Sequence, residues 1–459
     1  MMDFSNREQI DIKDIPIAVL GMGKSGTSAG RLAHHLGAQV IVSDKNNNIE
    51  INENADELLS NGINVETGRH SKHIYDSSLW IISPGISKDS KIVKKGKNLG
   101  IPIIGEIEFA SWFTNSPIIS ITGSNGKTTT VTALNKMCQT KNFKGFLGGN
   151  IGTPFSDNVL KELNGKDQKV IHILEISSFQ MEYIHHFKPH ICVFLNISAD
   201  HLNRHGSIQE YIKMKLNMAK NLDKNDYIVY NSDDDVLRDC FNNHIAKKFP
   251  FSIDKSDTII SLNETKIVDL EGNILANKKD IIIPGEHNLL NLLAASTAAK
   301  LVKVPNQKII DAFKSFSGVP HRLEKFLIKN NITYINDSKS TNLESVIVAI
   351  KSMIMPTILI MGGINKGSDF RLLLPYLKHS HVNLIITYGD AGGEILSAIG
   401  DAVRSFNKTD LNSAVKSAQS KATPGDTILL SPGCASFDQF KNFEDRGEKF
   451  KEIVRDINA

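Results

Sequence analysis

Short runs of β-branched and other apolar residues alternate with longer amphipathic stretches along most of the chain. Each run is a candidate strand, and each intervening stretch is long enough for a helix that returns the chain to the same sheet. This alternation predicts α/β units with mainly parallel sheets. The predicted strands are residues 15–20, 40–44, 79–83, 118–122, 170–174, 191–196, 227–231, 333–336, 357–361, 383–388 and 427–431.

The length of 459 residues predicts roughly three domains, at about 150 residues each. Two breaks in the strand-helix pattern divide the chain accordingly, Ile101–Gly105 and Ser317–Pro320. The predicted domains are residues 1–105, 106–319 and 320–459. Within the middle domain, residues 258–283 lack a helical pattern and carry Glu271-Gly272-Asn273, which predicts a short antiparallel hairpin.

Composition excludes several classes of protein. The 53 Lys and Arg residues against 50 Asp and Glu give a formal charge of only +3, so no nucleic-acid partner is indicated. The four cysteines have no paired spacing, which favours reduced thiols over disulfides or zinc. No apolar run approaches the ~18 residues of a spanning helix, and the amino terminus lacks a signal pattern. We therefore expect a cytoplasmic protein.

A first glycine loop, Gly21-Met22-Gly23-Lys24-Ser25-Gly26, lies between a predicted strand and the predicted helix 27–36. Its glycines allow the backbone to approach a phosphate closely, and Asp44 ends the next strand. The pattern fits a nicotinamide dinucleotide or another nucleotide diphosphate. A second glycine turn, at Gly85, ends a later strand of the same domain and could close the same crevice.

A second glycine loop, Gly123-Ser124-Asn125-Gly126-Lys127-Thr128-Thr129-Thr130, follows the predicted strand 118–122 and opens a helix. Its backbone amides and Lys127 predict a phosphate site, with Thr128 as a magnesium ligand. The loop is shorter than the usual phosphate loop, because Ile121 stands where that pattern has its first glycine. Glu175, at the end of strand 170–174, is the candidate carboxylate for the same ion.

Several motifs in this order resemble those of the Mur ligase family of cell-wall synthesis. Four resemble the family at large, and three resemble its D-glutamate-adding members. The four are Thr122–Thr130, Glu175–Gln180, Asp200-His201-Leu202 and Gly285–Asn291. The three are Gly149–Pro154, Asn336–Asn342 and Leu430–Phe443.

The resemblance implies three domains: a Rossmann-like N-terminal domain, a central P-loop domain and a Rossmann-like C-terminal domain. They would bind UDP-N-acetylmuramoyl-L-alanine, ATP and D-glutamate, respectively, in a monomer. The implied UDP-substrate group is Gly21, Gly23, Ser25, Gly26, Asp44, Gly85, Asn150 and His201. The implied ATP group is Gly123, Asn125, Gly126, Lys127, Thr128, Thr129, Asn288, Asn291, Arg322 and Asp337. The implied D-glutamate group is Lys339, Thr341, Lys366, Ser436, Phe437 and Phe443.

The resemblance also implies the catalytic and metal-binding residues. The catalytic set is Lys127, Glu175, His201 and Lys215, and two magnesium ions would be held by Thr128, Glu175, His201 and Lys215. Lys215 corresponds to a lysine that is carbamylated in the family. Lys213 competes for this role, but the apolar residues Ile212, Leu216 and Ala219 border Lys215 rather than Lys213.

Three other functions compete with this interpretation. A nicotinamide-dependent dehydrogenase would use the first glycine loop but leave the second without a task. Another Mur-type or a folylpolyglutamate-type ligase shares the phosphate loop, although the latter does not predict the first glycine domain. A non-enzymatic nucleotide-binding protein would show no substrate-dependent ADP release.

Overall fold

The computed structural model describes residues 10–165, 169–198, 207–254, 258–283 and 285–458. The chain is an α/β protein that divides into two compact units. The first unit holds the chain up to Asp280 together with Leu289–Lys314, and the second holds Ile281–Asn288 together with the chain from Ser315 onward.

The first sheet is wholly parallel and has the order β3-β2-β1-β4-β5. Its strands are β1 (Pro16–Leu20), β2 (Gln39–Ser43), β3 (Asn64–Glu66), β4 (Leu79–Ile82) and β5 (Ile103–Gly105). Its helices are α1 (Lys24–His35), α2 (Ile49–Ser60) and α3 (Lys91–Asn98), with a short 3-10 helix at Lys72–Asp76. The strand order reverses between β1 and β4, which is where such sheets bind ligands.

The second sheet, in the same unit, is also parallel and has the order β11-β10-β9-β6-β8-β7. Its strands are β6 (Ile118–Thr122), β7 (Lys144–Gly149), β8 (Val170–Glu175), β9 (Ile191–Phe194), β10 (Tyr227–Asn231) and β11 (Lys247–Phe251). The helices along this part are α4 (Glu106–Ser111), α5 (Lys127–Met137), α6 (Phe155–Asn164), α7 (Ile208–Leu216) and α8 (Asp235–Phe241), with 3-10 helices at Gln180–Tyr183 and Asn217–Ala219.

A small antiparallel sheet and two helices follow. The sheet contains β12 (Ile260–Asn263), β13 (Lys266–Asp269) and β14 (Ile274–Asn277). After a 3-10 helix at Lys278–Asp280 come α9 (Glu286–Leu301) and α10 (Asn306–Ser315). The predicted hairpin is therefore antiparallel, as expected, but has a third strand.

The third sheet, in the second unit, has the order β15-β16-β20-β17-β18-β19, and only β15 is antiparallel to its neighbour. Its strands are β15 (Glu324–Lys329), β16 (Ile332–Asn336), β17 (Thr357–Gly362), β18 (Val382–Tyr388), β19 (Ser405–Lys408) and β20 (Thr427–Gly433). The helices are α11 (Leu343–Ser352), α12 (Leu374–Leu377), α13 (Gly392–Ile399), α14 (Leu411–Lys421) and α15 (Phe443–Ile457), with 3-10 helices at Phe370–Leu373 and Gly400–Ala402.

Every predicted strand forms, with small shifts at the ends, and the predicted α/β class is confirmed. The sequence pattern missed β3, β5, β7, β11, β15 and β19. One of these, β5, lies inside Ile101–Gly105, which was predicted only as a domain break. The exact limits predicted for the domains remain predictions. No helix in the described ranges is long and apolar enough to cross a membrane.

The first two sheets are joined through α1, α4 and α6. Arg31 on α1 forms a two-pronged ion pair with Asp157 on α6, at 2.8 and 2.9 Å. Glu106, at the start of α4, accepts the backbone N–H of Ser156 at 2.6 Å. Buried Glu108, also on α4, accepts the N–H groups of residues 185–187 at 2.8–3.0 Å. These contacts make the two sheets parts of one compact unit.

Candidate active site

The first glycine loop is closed against β2 and β4. Gly21 has a left-handed φ of +93°, and its N–H donates to the carbonyl of Ser43 at 2.8 Å. A Cβ on Gly26 would lie 1.8 Å from the Gly21 carbonyl oxygen, so only glycine fits there. A Cβ on Gly23 or Gly85 would meet nothing within 4 Å. Gly21 and Gly26 thus shape the turn, and the lack of a side chain at Gly23 and Gly85 leaves room beside it.

Asp44 accepts hydrogen bonds from the backbone of this loop and of the segment after β2. Its carboxylate accepts the backbone N–H of Met22 and of Asn46, both at 2.8 Å, and its side chain is buried. On the β4 side, the Ser83 hydroxyl donates to the Gly21 carbonyl at 3.3 Å. The residues predicted for the UDP-substrate site in this domain therefore come together at the carboxyl ends of β2, β1 and β4. Asp44 is committed to the backbone of the loop, and Ser25 is half-buried at the start of α1.

The second glycine loop lies between the carboxyl ends of β8 and β9, because β6 is flanked by these two strands. Gly126 has a left-handed φ of +89° and precedes α5 directly. The Lys127 ammonium folds over the loop and donates to the carbonyls of Gly123 at 2.7 Å and Ser124 at 2.9 Å. The predicted phosphate loop thus joins a strand to a helix N-terminus, the arrangement that receives phosphate groups.

On the β8 side, Glu175 connects the phosphate loop to Asn150, one of the residues implied for the UDP-substrate. Its Oε2 accepts the Thr128 hydroxyl at 2.7 Å, and its Oε1 accepts the Asn150 side-chain amide at 2.9 Å. Gly149 keeps this approach close, because a Cβ there would lie 2.3 Å from the Glu175 carbonyl oxygen. Thr128, Glu175 and Asn150 are therefore brought together, with the two proposed magnesium ligands in direct contact.

On the β9 side, the loop is held by residues that the sequence analysis did not select. The Asn196 side chain accepts the Asn125 N–H at 2.8 Å and donates to the Asn125 carbonyl at 3.1 Å. The Ser124 hydroxyl donates to the Ser198 carbonyl and accepts its N–H, both at 2.9 Å. The position of Asn196, just after a buried strand, is the signal that could have identified it.

Lys215 and Lys213 occupy different environments on α7. Lys215 is 2% exposed, and its ammonium donates to the Gly123 carbonyl at 2.9 Å and lies 4.6 Å from the centre of the Tyr211 ring. The side chain of Lys213 is 69% exposed and lies near Glu210. Lys215 therefore reaches the phosphate loop, whereas Lys213 faces solvent. Two ammonium groups, those of Lys127 and Lys215, share the Gly123 carbonyl.

The predicted ATP residue Asn291 lies against the phosphate loop. A Cβ on Gly126 would be 2.2 Å from the Asn291 side-chain oxygen, so the two residues pack directly together. Asn288 lies three residues earlier on α9 and is also buried. Residues three apart share a helix face. Thr129, in the first turn of α5, is buried.

In the second unit, Asp337 follows β16 and is buried among hydroxyl and amide donors. Ser340 and Ser431 donate to its Oδ2 at 2.5 and 2.8 Å, and the Leu323 N–H donates to its Oδ1 at 3.1 Å. Burial raises the pKa of Asp337 to about 6, against the lowering effect of these hydrogen bonds and of nearby Arg322.

Arg322 stands between two residues with left-handed backbone, His321 at φ +63° and Leu323 at φ +44°. Left-handed backbone is energetically costly for residues other than glycine, and such residues cluster at functional sites. Burial, with a further contribution from Arg322, lowers the pKa of His287 to about 4. Arg322, Asp337 and His287 thus form one electrostatic neighbourhood in the second unit.

The residues predicted to bind D-glutamate follow three neighbouring strands, β16, β20 and β17. Lys339 and Thr341 follow β16, and the Lys339 ammonium lies 5.7 Å from the centre of the Phe443 ring. Mutual backbone hydrogen bonds between Ile364 and Ala435, at 2.9 and 3.0 Å, join the segment that carries Lys366 to the one that carries Ser436.

Phe437 follows β20 as Ser436 does, and its side chain is 64% exposed. Ser436 is buried, and Lys366 is exposed. The structure therefore brings the segments of all six residues to one edge of the sheet, and the side chains of Lys366 and Phe437 are exposed there.

Two further expectations concern metal ligands and cysteines. His201 lies outside the described residues. Within the described ranges, no group of three or more His, Cys, Asp or Glu side chains is arranged to hold a metal ion. Of the four predicted metal ligands, Thr128, Glu175 and Lys215 lie within the described ranges. All four cysteines are free thiols, as predicted.

Three family models together match most of the chain. The Mur ligase MurD-like N-terminal domain matches residues 16–105, the Mur ligase middle domain matches residues 121–299, and the Mur ligase glutamate ligase domain matches residues 321–434. These ranges correspond to the first sheet, to the second sheet with its small antiparallel sheet, and to the third sheet.

Curated relatives match over nearly the full length. The UDP-N-acetylmuramoylalanine–D-glutamate ligase of Christiangramia forsetii is 37% identical over 457 residues, covering 96% of this chain and 99% of the relative. The enzyme of the same name from Lactiplantibacillus plantarum is 38% identical over 449 residues, covering 96% of both chains. That from Clostridioides difficile is 36% identical over 457 residues, covering 98% and 100%.

Solved structures support the fold. UDP-N-acetylmuramate-alanine ligase MurC from Thermotoga maritima gives a TM-score of 0.60 at 17% identity, covering 96% of this chain and 100% of its own. MurF from Acinetobacter baumannii gives a TM-score of 0.62 at 15% identity, covering 98% and 94%. With the full-length relatives and the three domain matches, they establish that the chain belongs to the Mur ligase family of ATP-dependent, amide-bond-forming ligases.

Proposed function

We propose that this ligase adds D-glutamate to UDP-N-acetylmuramoyl-L-alanine in peptidoglycan precursor synthesis. The observation that carries the proposal is the contact between Glu175, Thr128 and Asn150. It joins the phosphate loop to Asn150, one of the residues that the resemblance implies for the UDP-substrate. The names of the full-length relatives support the choice of the two substrates.

The reaction needs an activated carboxylate, because a carboxylate ion is a poor electrophile. Its oxygen attacks the γ-phosphorus of ATP, ADP leaves, and an acyl phosphate forms. Lys127 and the amides of its loop would hold the transferring phosphoryl group. The D-glutamate amine then attacks the acyl carbon, loses a proton and displaces inorganic phosphate, which leaves the amide.

The donor set fits magnesium, and two ions are proposed. Thr128 and Glu175 supply hard oxygen ligands 2.7 Å apart. Bound magnesium would neutralise charge on the phosphates. An unmodified Lys215 would add a second ammonium beside Lys127, where like charges repel. Once the Lys215 ammonium has lost a proton, its amine can add to carbon dioxide and lose a second proton, which would replace the cation with a carbamate, an anionic oxygen donor. We propose that Lys215 is carbamylated in the active enzyme.

In the second unit, the loops after β16, β17 and β20 are the proposed D-glutamate site. Lys339 and Lys366 supply cations for its carboxylates, and Ser436 supplies a hydroxyl. Phe443, beside the Lys339 ammonium, completes the site. Phe437, which is largely exposed, is proposed for the same site beside Ser436.

The decisive experiment measures ADP release with UDP-N-acetylmuramoyl-L-alanine and one amino acid at a time. D-Glutamate is expected to support turnover, whereas L-glutamate, L-alanine, L-lysine and diaminopimelate are not. Equal rates with both glutamate enantiomers would contradict the proposed substrate. A preference for L-lysine or diaminopimelate would instead indicate another Mur-type ligase. A parallel assay with a folate substrate tests the folylpolyglutamate-type alternative, which predicts ADP release with that substrate.

A further inference from the structure

The largest charged side chain that is completely buried in the second unit belongs to Arg446. It lies on α15, one turn after Phe443, and is 0% exposed. Arg446 belongs to neither glycine loop and to none of the residue groups that the family resemblance implies. A buried arginine is expensive unless its donors are all satisfied, so its surroundings should explain why it is there.

The guanidinium of Arg446 connects several segments. Its Nε donates to the Ser338 hydroxyl at 2.9 Å, and its Nη2 donates to the Ser338 carbonyl at 2.8 Å. Its Nη1 donates to the Cys434 carbonyl at 3.1 Å and lies 3.5 Å from the Gly362 carbonyl oxygen. The Ser338 hydroxyl in turn donates to the Phe443 carbonyl at 2.8 Å.

These contacts have one feature in common. Ser338 is adjacent to Lys339, Cys434 lies two residues before Ser436, and Gly362 lies four residues before Lys366. Arg446 itself is three residues after Phe443. One planar group with fixed donor directions therefore touches all four segments that carry the proposed D-glutamate residues.

The charge of Arg446 is also relevant. The hydrogen-bond acceptors around its three nitrogens are carbonyls and a hydroxyl, which are neutral. The Asp438 carboxylate acts electrostatically on Tyr388 and Cys434, as Arg446 does, so an acidic group lies in the same neighbourhood. The hydrogen bonds of Arg446, rather than an uncompensated positive charge, therefore define what it can do for the site.

We propose that Arg446 is a positioning residue that sets the spacing of the four glutamate-binding segments. The proposal rests on the proposed function, because it names the amino-acid site of that reaction. Arg446 does not contact the reacting atoms. Its effect should therefore appear in the binding of the amino acid rather than in that of ATP or of the nucleotide substrate.

The test compares Arg446→Ala and Arg446→Lys with the wild type under steady-state conditions. We expect the Michaelis constant for D-glutamate to rise by about 10- to 100-fold, the effect of a misplacement near 1 Å. The constants for ATP and the nucleotide substrate should not change. Lysine keeps the charge but cannot span three acceptors, so Arg446→Lys should remain impaired. Millimolar guanidinium should partly restore Arg446→Ala and leave the wild type unaffected.

Ser338→Ala and Arg455→Ala serve as matched variants. Ser338→Ala removes the hydroxyl between Arg446 and Phe443 with little loss of volume, so it should raise the same Michaelis constant even if Arg446→Ala does not fold. Arg455 is exposed on the same helix, and Arg455→Ala should behave as the wild type. A normal D-glutamate constant in Arg446→Lys and Ser338→Ala, or an equal rise in all three constants, would overturn the proposal. A wild type without D-glutamate-dependent ADP release would instead contradict the proposed function.

Discussion

At the scale of single residues, two lysines with different surroundings converge on the phosphate loop. Lys127 begins α5 and is partly exposed, whereas Lys215 comes from α7 and is buried. Both donate to the Gly123 carbonyl. The sequence could identify Lys127 from the loop motif itself. Lys215 needed the helix pattern and the resemblance, because a lysine beside apolar residues is more often a surface residue with a covered stem.

Lys127→Ala removes the side-chain cation closest to the phosphate loop. We expect turnover to fall by about 10²–10³-fold or more, because a charge partner of the transferring phosphoryl group is lost. ADP release at saturating substrates measures this effect. The exposed Lys141, just beyond the same helix, provides the control variant Lys141→Ala, which should keep full turnover. Near-normal turnover of Lys127→Ala would remove the lysine from the proposed ATP site.

Lys215→Ala tests the proposed carbamate. We expect activity to be nearly abolished, because the variant loses the anionic oxygen donor that hard cations prefer. A small carboxylic acid such as formate should partly restore it by entering the space of the side chain. The exposed Lys213 is the matched control, and Lys213→Ala should neither lose activity nor respond to formate. Full activity of Lys215→Ala without added acid would refute the assignment.

At the scale of elements, strand order decides which predicted residues meet. The sequence placed Glu175 at a strand end, but only the order β9-β6-β8 puts it beside the phosphate loop, with Asn196 on the other side. Strand β7 was missed because Gly145, Gly148 and Gly149 resemble a loop. Glycine is needed at Gly149, where φ is +96° and the chain passes close to Glu175. Local pattern thus predicted most strands, but not their neighbours or a glycine-rich strand.

Glu108 on helix α4 is a buried carboxylate that accepts four hydrogen bonds. Besides three backbone N–H groups, Glu108 accepts the Trp112 indole N–H at 2.9 Å. Glu108→Ala would leave several buried donors without an acceptor, at about 1–3 kcal/mol each, so we expect a loss of at least about 3 kcal/mol of stability. Urea unfolding measures this change, with Glu53→Ala on the exposed face of α2 as the control. A loss of less than about 1 kcal/mol would show that the donors find other partners.

At the scale of the whole molecule, the two compact units divide the proposed tasks. The first joins the nucleotide-type loop of β1 to the phosphate loop of β6 through α1, α4 and α6. The second carries the proposed D-glutamate loops. Sequence breaks and the family resemblance predicted three domains. The sequence pattern did not predict the shared unit, because Arg31, Glu106 and Asp157 lie far apart in sequence and resemble ordinary helix residues.

The joint between the first two sheets should make stability depend on pH through Glu106. Burial raises the pKa of Glu106 to about 7 from its usual 4.5, although the Ser156 N–H favours the charged form. Between these values the folded protein holds a proton that the unfolded chain has released. The protonated carboxyl therefore stabilises the fold fully below about 4.5, and this contribution is lost as the pH rises through about 7.

Glu106→Gln keeps the shape and the acceptor of this side chain but cannot titrate. Relative to the variant, we expect the wild type to lose about 3 kcal/mol of stability between pH 4.5 and 7.5, from a pKa difference of about 2.5 units. Melting temperatures of both proteins across this range measure the difference. Because both proteins share every other titrating group, the difference isolates Glu106. If the melting temperatures of the two proteins differed by the same amount at every pH, Glu106 would not have a raised pKa.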